Sequence, residues 1–115
     1  MRVHAAHIYT VYHAHAERSS WRPLTDVYET ETWVVVQIEI AGMRDGHFHL
    51  TVQDQLLTVY GARTENAREP CAYHQMEIHS GDFRAEVELP APVDSGSITA
   101  EYDDGFLRII LPKGR

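Results

Sequence analysis

The middle of the chain alternates between apolar and polar residues with a period of two. Alternate side chains of a β-strand lie on opposite faces, so this pattern predicts strands that bury one face. The pattern is clearest at 82–89, and it also predicts strands at 32–40, 47–53, 98–102 and 106–111. In the strand at 82–89 the apolar side consists of Phe83, Ala85, Val87 and Leu89.

Turn-forming residues separate these segments. Pro90-Ala91-Pro92 ends the strand at 82–89, because proline cannot donate to a strand ladder. Asp103-Asp104-Gly105 predicts a tight hairpin with glycine in the left-handed conformation. Ala41-Gly42 and Asp45-Gly46 mark turns after the first predicted strand. Short strands at this spacing, with no credible helical stretch, predict an antiparallel all-β sandwich of the immunoglobulin-like type.

The chain divides into three zones. We expect a short flexible arm at 1–20, a single domain at 21–113 and a stub at 114–115. Within the domain, a polar loop at 64–70 precedes a further alternating segment at 71–79. Because this strand follows a long excursion, it need not pair within its own chain.

The segment 100–113 resembles the signature of the small heat-shock proteins: an alanine, an Asp-Gly turn, an apolar pair and alternating apolar residues up to Pro-Lys. Its physical basis is a hairpin whose glycine accepts positive φ and whose second strand supplies core residues. Further matches follow in the family's order at 38–42, 57–63, 73–77, 81–83 and 89–90. The resemblance covers residues 22–113.

The resemblance implies an alpha-crystallin domain, a strand-exchanged homodimer and ATP-independent binding of unfolding client proteins, with no catalysis and no cofactor. In the bacterial and plant branch, a strand on the long loop adds to the edge of the partner's sandwich. The corresponding residues here are Cys71, Tyr73, His74, Gln75, Met76, Glu77 and Ile78. The family also has an apolar groove for a tail motif or a client segment. The corresponding residues here are Leu50, Val52, Ile98 and Tyr102.

The sequence departs from the family pattern at several points. It has no Ile-X-Ile tail after Leu111, and its N-terminal arm is short. The family's arginine before Leu-Pro falls at Ala85, and the proline before Gly42 is replaced by Ala41. We therefore expect a dimer rather than a large oligomer.

The overall charge excludes some classes of partner. The formal net charge is −7, and no run of basic residues occurs. Nucleic acid and anionic membrane surfaces are therefore not expected as partners. The N-terminus lacks the apolar core of a signal peptide, so we expect a cytoplasmic protein. Cys71 is the single cysteine, which rules out an internal disulfide.

The histidines and the acid pair Asp103-Asp104 allow other interpretations. The chain has eight histidines, some at spacings that could bind a metal, but no Cys/His quartet is visible, so no metal site is predicted. They could instead tune assembly with pH. The acid pair Asp103-Asp104 fits a hairpin turn better than catalytic carboxylates, and no nucleophile elbow or phosphate loop occurs, so no enzyme is predicted.

Two alternative functions remain open at this point. A co-chaperone or adaptor with the related CS-type sandwich would bind one defined partner, but that relative lacks the long exchange loop. A secreted or metal-binding sandwich module would need a signal segment, which the sequence does not indicate. Solution mass separates the first alternative from the dimer, and metal titration tests the second.

Overall fold

A computed structural model describes residues 2–4, 20–43, 47–64 and 69–114, with 2–4 described for the backbone alone. The predicted turn at Asp45-Gly46 and most of the predicted arm lie outside these residues. The described residues form eight strands: β1 (Arg2–His4), β2 (Thr25–Glu29), β3 (Trp33–Glu39), β4 (His49–Gln53), β5 (Leu56–Arg63), β6 (Gly81–Glu88), β7 (Thr99–Asp103) and β8 (Phe106–Pro112). Within the described residues the only helical element is the short 3-10 turn Ser95–Ser97.

The strands form two antiparallel sheets, which confirms the predicted sandwich. One sheet has five strands in the order β1-β7-β8-β3-β2, and the other has three in the order β4-β5-β6. The alternation read from the sequence matches the burial observed. On β3, Val34, Val36 and Ile38 are buried, whereas Trp33 and Glu39 on the opposite face are exposed.

A continuous apolar core lies between the two sheets. Val36 of β3 pairs with Ile109 of β8, and both side chains are fully buried. Phe83 of β6 lies in the same cluster, where its ring packs against Phe48 at a centroid distance of 6.2 Å. Removal of apolar surface from water, at roughly 25 cal/mol per Å², is the main term that holds the sheets together.

Two tight hairpin turns use the left-handed backbone conformation. At the β7–β8 turn, φ is 52° for Asp104 and 84° for Gly105, as the sequence predicted. The β4–β5 turn was not predicted, because neither Asp54 nor Gln55 is a glycine, yet their φ values are 53° and 63°. Gln55 is held there by two bonds to Leu89: its carbonyl accepts from the Leu89 amide at 2.8 Å, and its Nε2 donates to the Leu89 carbonyl at 3.1 Å.

The structure differs from the sequence analysis in three segments. The strands β1 and β2 were not predicted, because β1 has three residues and β2 carries polar residues on both faces. The segment 71–79 was predicted to be a strand that need not pair within its own chain; in the described chain it forms no strand, and all nine residues are exposed. No strand among the described residues pairs with this segment.

Candidate protein-interaction surfaces

The exchange segment, residues 71–78, carries large apolar side chains that face solvent. The exposed fractions are 51% for Tyr73, 56% for Met76 and 79% for Ile78. The remaining predicted exchange residues are also exposed: Cys71, His74, Gln75 and Glu77. Exposed apolar groups of this size in one short segment are typical of a surface that another protein covers.

The second surface is the free edge of β2. This strand ends the five-stranded sheet, and no described strand pairs with its outer side. Val27 lies opposite Val36, on the core-facing side, but remains 41% exposed because the facing sheet has only three strands. An edge of this kind presents unpaired N–H and C=O groups to which another extended segment can add.

The outer face beside this edge is partly apolar as well. Tyr28 and Trp33 are both exposed there, and Arg108 donates to the Tyr28 hydroxyl at 3.2 Å. Lys113 forms an ion pair with Glu29 at 2.9 Å, close to the end of β2. Charged groups therefore border the apolar edge, which is the arrangement that keeps an interaction surface soluble before it is covered.

A cleft of about 360 Å³ separates the exchange segment from its own sandwich. Its sandwich wall consists of Ala41, Gly42, Arg63 and Thr64. Its other wall includes Tyr73, Met76 and Ile78 from the exchange segment. The segment therefore runs beside the domain, and its apolar side chains do not join the core cluster of the same chain.

Three of the four predicted groove residues lie in the core of the single chain. Leu50, Ile98 and Tyr102 are 2%, 7% and 9% exposed, and Val52 is partly buried against the same cluster. Alternation assigns a residue to the inner face of a strand, but the core and a groove at the sandwich edge share that face. A groove on these residues stays a prediction, whereas their contribution to the core is observed.

The outer edge of β7, next to this predicted groove, is occupied by β1. The pairing is antiparallel, with Val3 opposite Ala100 and His4 opposite Thr99. The backbone of residues 2–4 therefore covers the edge that a tail motif or a client segment would use under the family resemblance. No feature of the sequence predicted this strand, since only three residues take part.

The Tyr102 hydroxyl links two backbone groups of the β3–β4 connection. It donates to the Ile40 carbonyl at 2.7 Å and accepts from the Met43 amide at 3.2 Å. We expect Tyr102→Phe to lower the free energy of unfolding by about 1–3 kcal/mol, since both backbone groups would lose a partner in a buried place. Urea denaturation measures this loss. As a control, Tyr28→Phe removes an exposed hydroxyl and should cost less than about 0.5 kcal/mol; equal losses would contradict the assignment.

Sequence reasoning missed the residues that join the exchange segment to the sandwich. Arg63 at the end of β5 donates to backbone carbonyls of His79 and Ala41, and the Trp21 ring stacks on the His79 ring. No local pattern predicts these contacts, because the residues are far apart along the chain. The exposed Val27 was missed because β2 itself was not predicted.

Among the described residues, no group of three or more His, Cys, Asp and Glu side chains is arranged to hold a metal ion. The histidines at 7, 13 and 15 lie outside the described residues. In the part of the chain that the structure covers, no helix has the length and apolar character needed to span a bilayer.

Known structures share this architecture. The hspA of Xanthomonas axonopodis superimposes with a TM-score of 0.73 at 25% identity, covering 83% of this chain and 96% of that one. Heat shock protein 16.0 of Schizosaccharomyces pombe gives a TM-score of 0.72 at 23% identity, covering 89% and 73%. The fold is thus a β-sandwich of the alpha-crystallin class.

The chain belongs to the Hsp20/alpha crystallin family, whose pattern matches residues 26–115. Small heat shock protein C2 of Rickettsia felis is 27% identical over 106 residues, covering 91% of this chain and 69% of that protein. Small heat shock protein C4 of the same organism is 29% identical over 103 residues, and the chain spans 63% of its length. These matches confirm the resemblance inferred from the sequence. Small heat-shock proteins are chaperones.

Proposed function

We propose that this chain is an ATP-independent holdase that binds partly unfolded proteins and suppresses their aggregation. The observation that carries the proposal is that the single chain exposes both an apolar exchange segment and, separately, the free edge of β2. Holding a client needs apolar surface that the client can cover and a charged border that keeps the complex in solution. Arg108, Glu29 and Lys113 lie beside the free edge of β2 and supply such a border.

The expected capture is weak and reversible. Apolar burial yields roughly 25 cal/mol per Å², and ordering an unfolded client offsets much of that gain. A client segment that adds to a strand edge gains backbone hydrogen bonds, which are independent of its sequence. Together these terms suit a surface that accepts varied clients and releases them again.

The functional unit in this proposal is a homodimer in the cytoplasm. The exchange segment of one subunit adds to the free edge of β2 in the other, which covers two exposed edges at once, so a client reaches these two surfaces only in subunits that have dissociated. Val27 on the inner side of that edge offers apolar surface to the arriving segment.

The direct test is light scattering of a heat-labile client protein at rising ratios of this chain. A several-fold excess should suppress the aggregation signal equally with and without ATP. Ile78→Ser combined with Met76→Ser should weaken suppression, since both side chains are exposed and apolar. Ser95→Ala combined with Ser97→Ala changes a distant turn and serves as the matched control.

The CS-type adaptor remains the competing hypothesis, and the same samples discriminate it. An adaptor with one defined partner would be monomeric and would leave the aggregation of unrelated clients unchanged. Full aggregation at several-fold excess would therefore refute the holdase proposal. Suppression by a strictly monomeric chain would keep the holdase and reject the exchange of strands.

A further inference from the structure

Three side chains from separate parts of the chain meet where the exchange segment returns to the sandwich. Trp21 precedes β2, Arg63 ends β5, and His79 lies two residues before β6. The His79 ring stacks on the Trp21 ring, with centroids 5.1 Å apart and an angle of 16° between the planes. The central guanidinium carbon of Arg63 lies 4.6 Å from the Trp21 ring centroid.

Arg63 uses its guanidinium as a bridge between two backbone segments. Its Nε donates to the His79 carbonyl at 3.1 Å, and its Nη2 donates to the same oxygen. Its Nη1 donates to the Ala41 carbonyl at 3.1 Å. A planar fork with five donors can hold two carbonyls in fixed directions, which a lysine ammonium on a flexible stem does less well.

Trp21 is a fixed platform for this arrangement. Its amide donates to the Asp82 carbonyl at 3.1 Å, and its carbonyl accepts from the Arg84 amide at 2.9 Å. Its ring also contacts Phe83 of the core at a centroid distance of 5.9 Å. The platform is therefore anchored to β6, whereas His79 belongs to a segment that forms no strand within the described part of the chain.

We propose that Trp21, Arg63 and His79 form a latch. It fixes the place where the exchange segment joins the sandwich and so holds the segment in the direction in which it binds the partner subunit. The inference rests on the proposed exchange of strands and names the residues that position it. Within the described residues, Arg63 supplies the hydrogen bonds that tie residues 71–80 to the sandwich. A segment held in one direction loses less conformational entropy on binding, which strengthens the dimer without adding a contact to it.

The latch acts through the segment and not through the stability of the domain. Arg63 is partly exposed and His79 is exposed, and neither belongs to the core cluster. The substitution Arg63→Ala should therefore leave the cooperative unfolding of the sandwich nearly unchanged. This separation allows a positioning role to be distinguished from a purely structural one.

The experiment measures segment mobility and dimer affinity in the same full-length variants. A nitroxide is attached to the cysteine of Glu77→Cys, two residues from His79, in a Cys71→Ser background. Its electron paramagnetic resonance spectrum is recorded at dilutions where the chain is monomeric. Sedimentation gives the dimer dissociation constant of the unlabelled chain. Arg63→Ala should increase the mobility of the label and raise the dissociation constant about fivefold or more.

The pattern across variants is specific. Arg63→Lys should resemble Arg63→Ala, because it keeps the charge but loses the fork. His79→Phe should keep the stacked ring and behave like the parent, while His79→Ala should not. Arg84→Ala removes another arginine, one that pairs with Glu86 at 3.1 Å on the surface, and should change neither measurement.

The outcomes separate the latch from the proposed function. Unchanged label mobility in Arg63→Ala overturns the latch, and so does increased mobility with an unchanged dissociation constant. A parent chain that never dimerises refutes the exchange of strands, and with it the effect of the latch on affinity. In that case the label still decides whether Arg63 anchors the segment.

Discussion

Phe83→Ala is expected to lower the free energy of unfolding by about 3–5 kcal/mol, a large part of the roughly 5–15 kcal/mol of a typical domain. The Phe83 side chain is 1% exposed and packs against Phe48 and Trp21 on two sides. Its ring also fills the space above Gly61, where an added Cβ would lie 2.8 Å from the ring. Removing the ring leaves a cavity that the strand backbones can close only in part.

Urea denaturation at a fixed protein concentration measures this effect, since dimerisation would make the apparent stability depend on concentration. Phe106→Ala is the matched control, because Phe106 also lies on a strand but is 39% exposed on the outer face. We expect it to cost less than about 1 kcal/mol. Equal costs for the two phenylalanines would contradict the placement of the core between the sheets.

The second large effect is expected from proline in the exchange segment. If this segment adds to β2 of the partner, alternate amides must donate across the new strand pair. Neighbouring amides of an extended strand point in opposite directions, so either Met76→Pro or Gln75→Pro removes a required donor. One of the two substitutions should convert the dimer to a monomer, as measured by sedimentation at micromolar concentration.

The two proline variants serve as controls for each other. The residues are exposed and in no strand of the single chain, so neither variant should lower the unfolding free energy of the monomer by more than about 0.5 kcal/mol. Met76→Leu keeps both the amide and an apolar side chain and should remain dimeric. If both proline variants sediment as dimers, the proposed pairing is wrong.

The sequence predicted the sandwich because burial in most strands of this fold follows a period of two. On β6, the buried residues Phe83, Ala85 and Val87 are those that the alternation placed on the inner face. The β7–β8 hairpin was also predictable, since Asp104-Gly105 has the composition that its positive φ values require. In these cases a local rule and the tertiary structure favour the same conformation.

The interaction surfaces were predictable only in part. The exchange segment stood out because it alternates yet follows a long polar loop, which indicated that it need not pair in its own chain; the backbone to which it adds has no local signature. Tyr102 shows a different limit: its inner-face position was clear, whereas its bonds to Ile40 and Met43 depend on residues about sixty positions away. The latch around Arg63 has no sequence signature, since its parts converge only after folding.

Gel filtration of a heated mixture shows whether this chain holds unfolding clients in solution. A labelled heat-labile client is warmed with an excess of the chain, cooled, centrifuged and applied to the column. If the chain is a holdase, client and chain elute together, ahead of the free dimer, with little client in the pellet. Client found wholly in the pellet, with the chain eluting alone at its original volume, would contradict it.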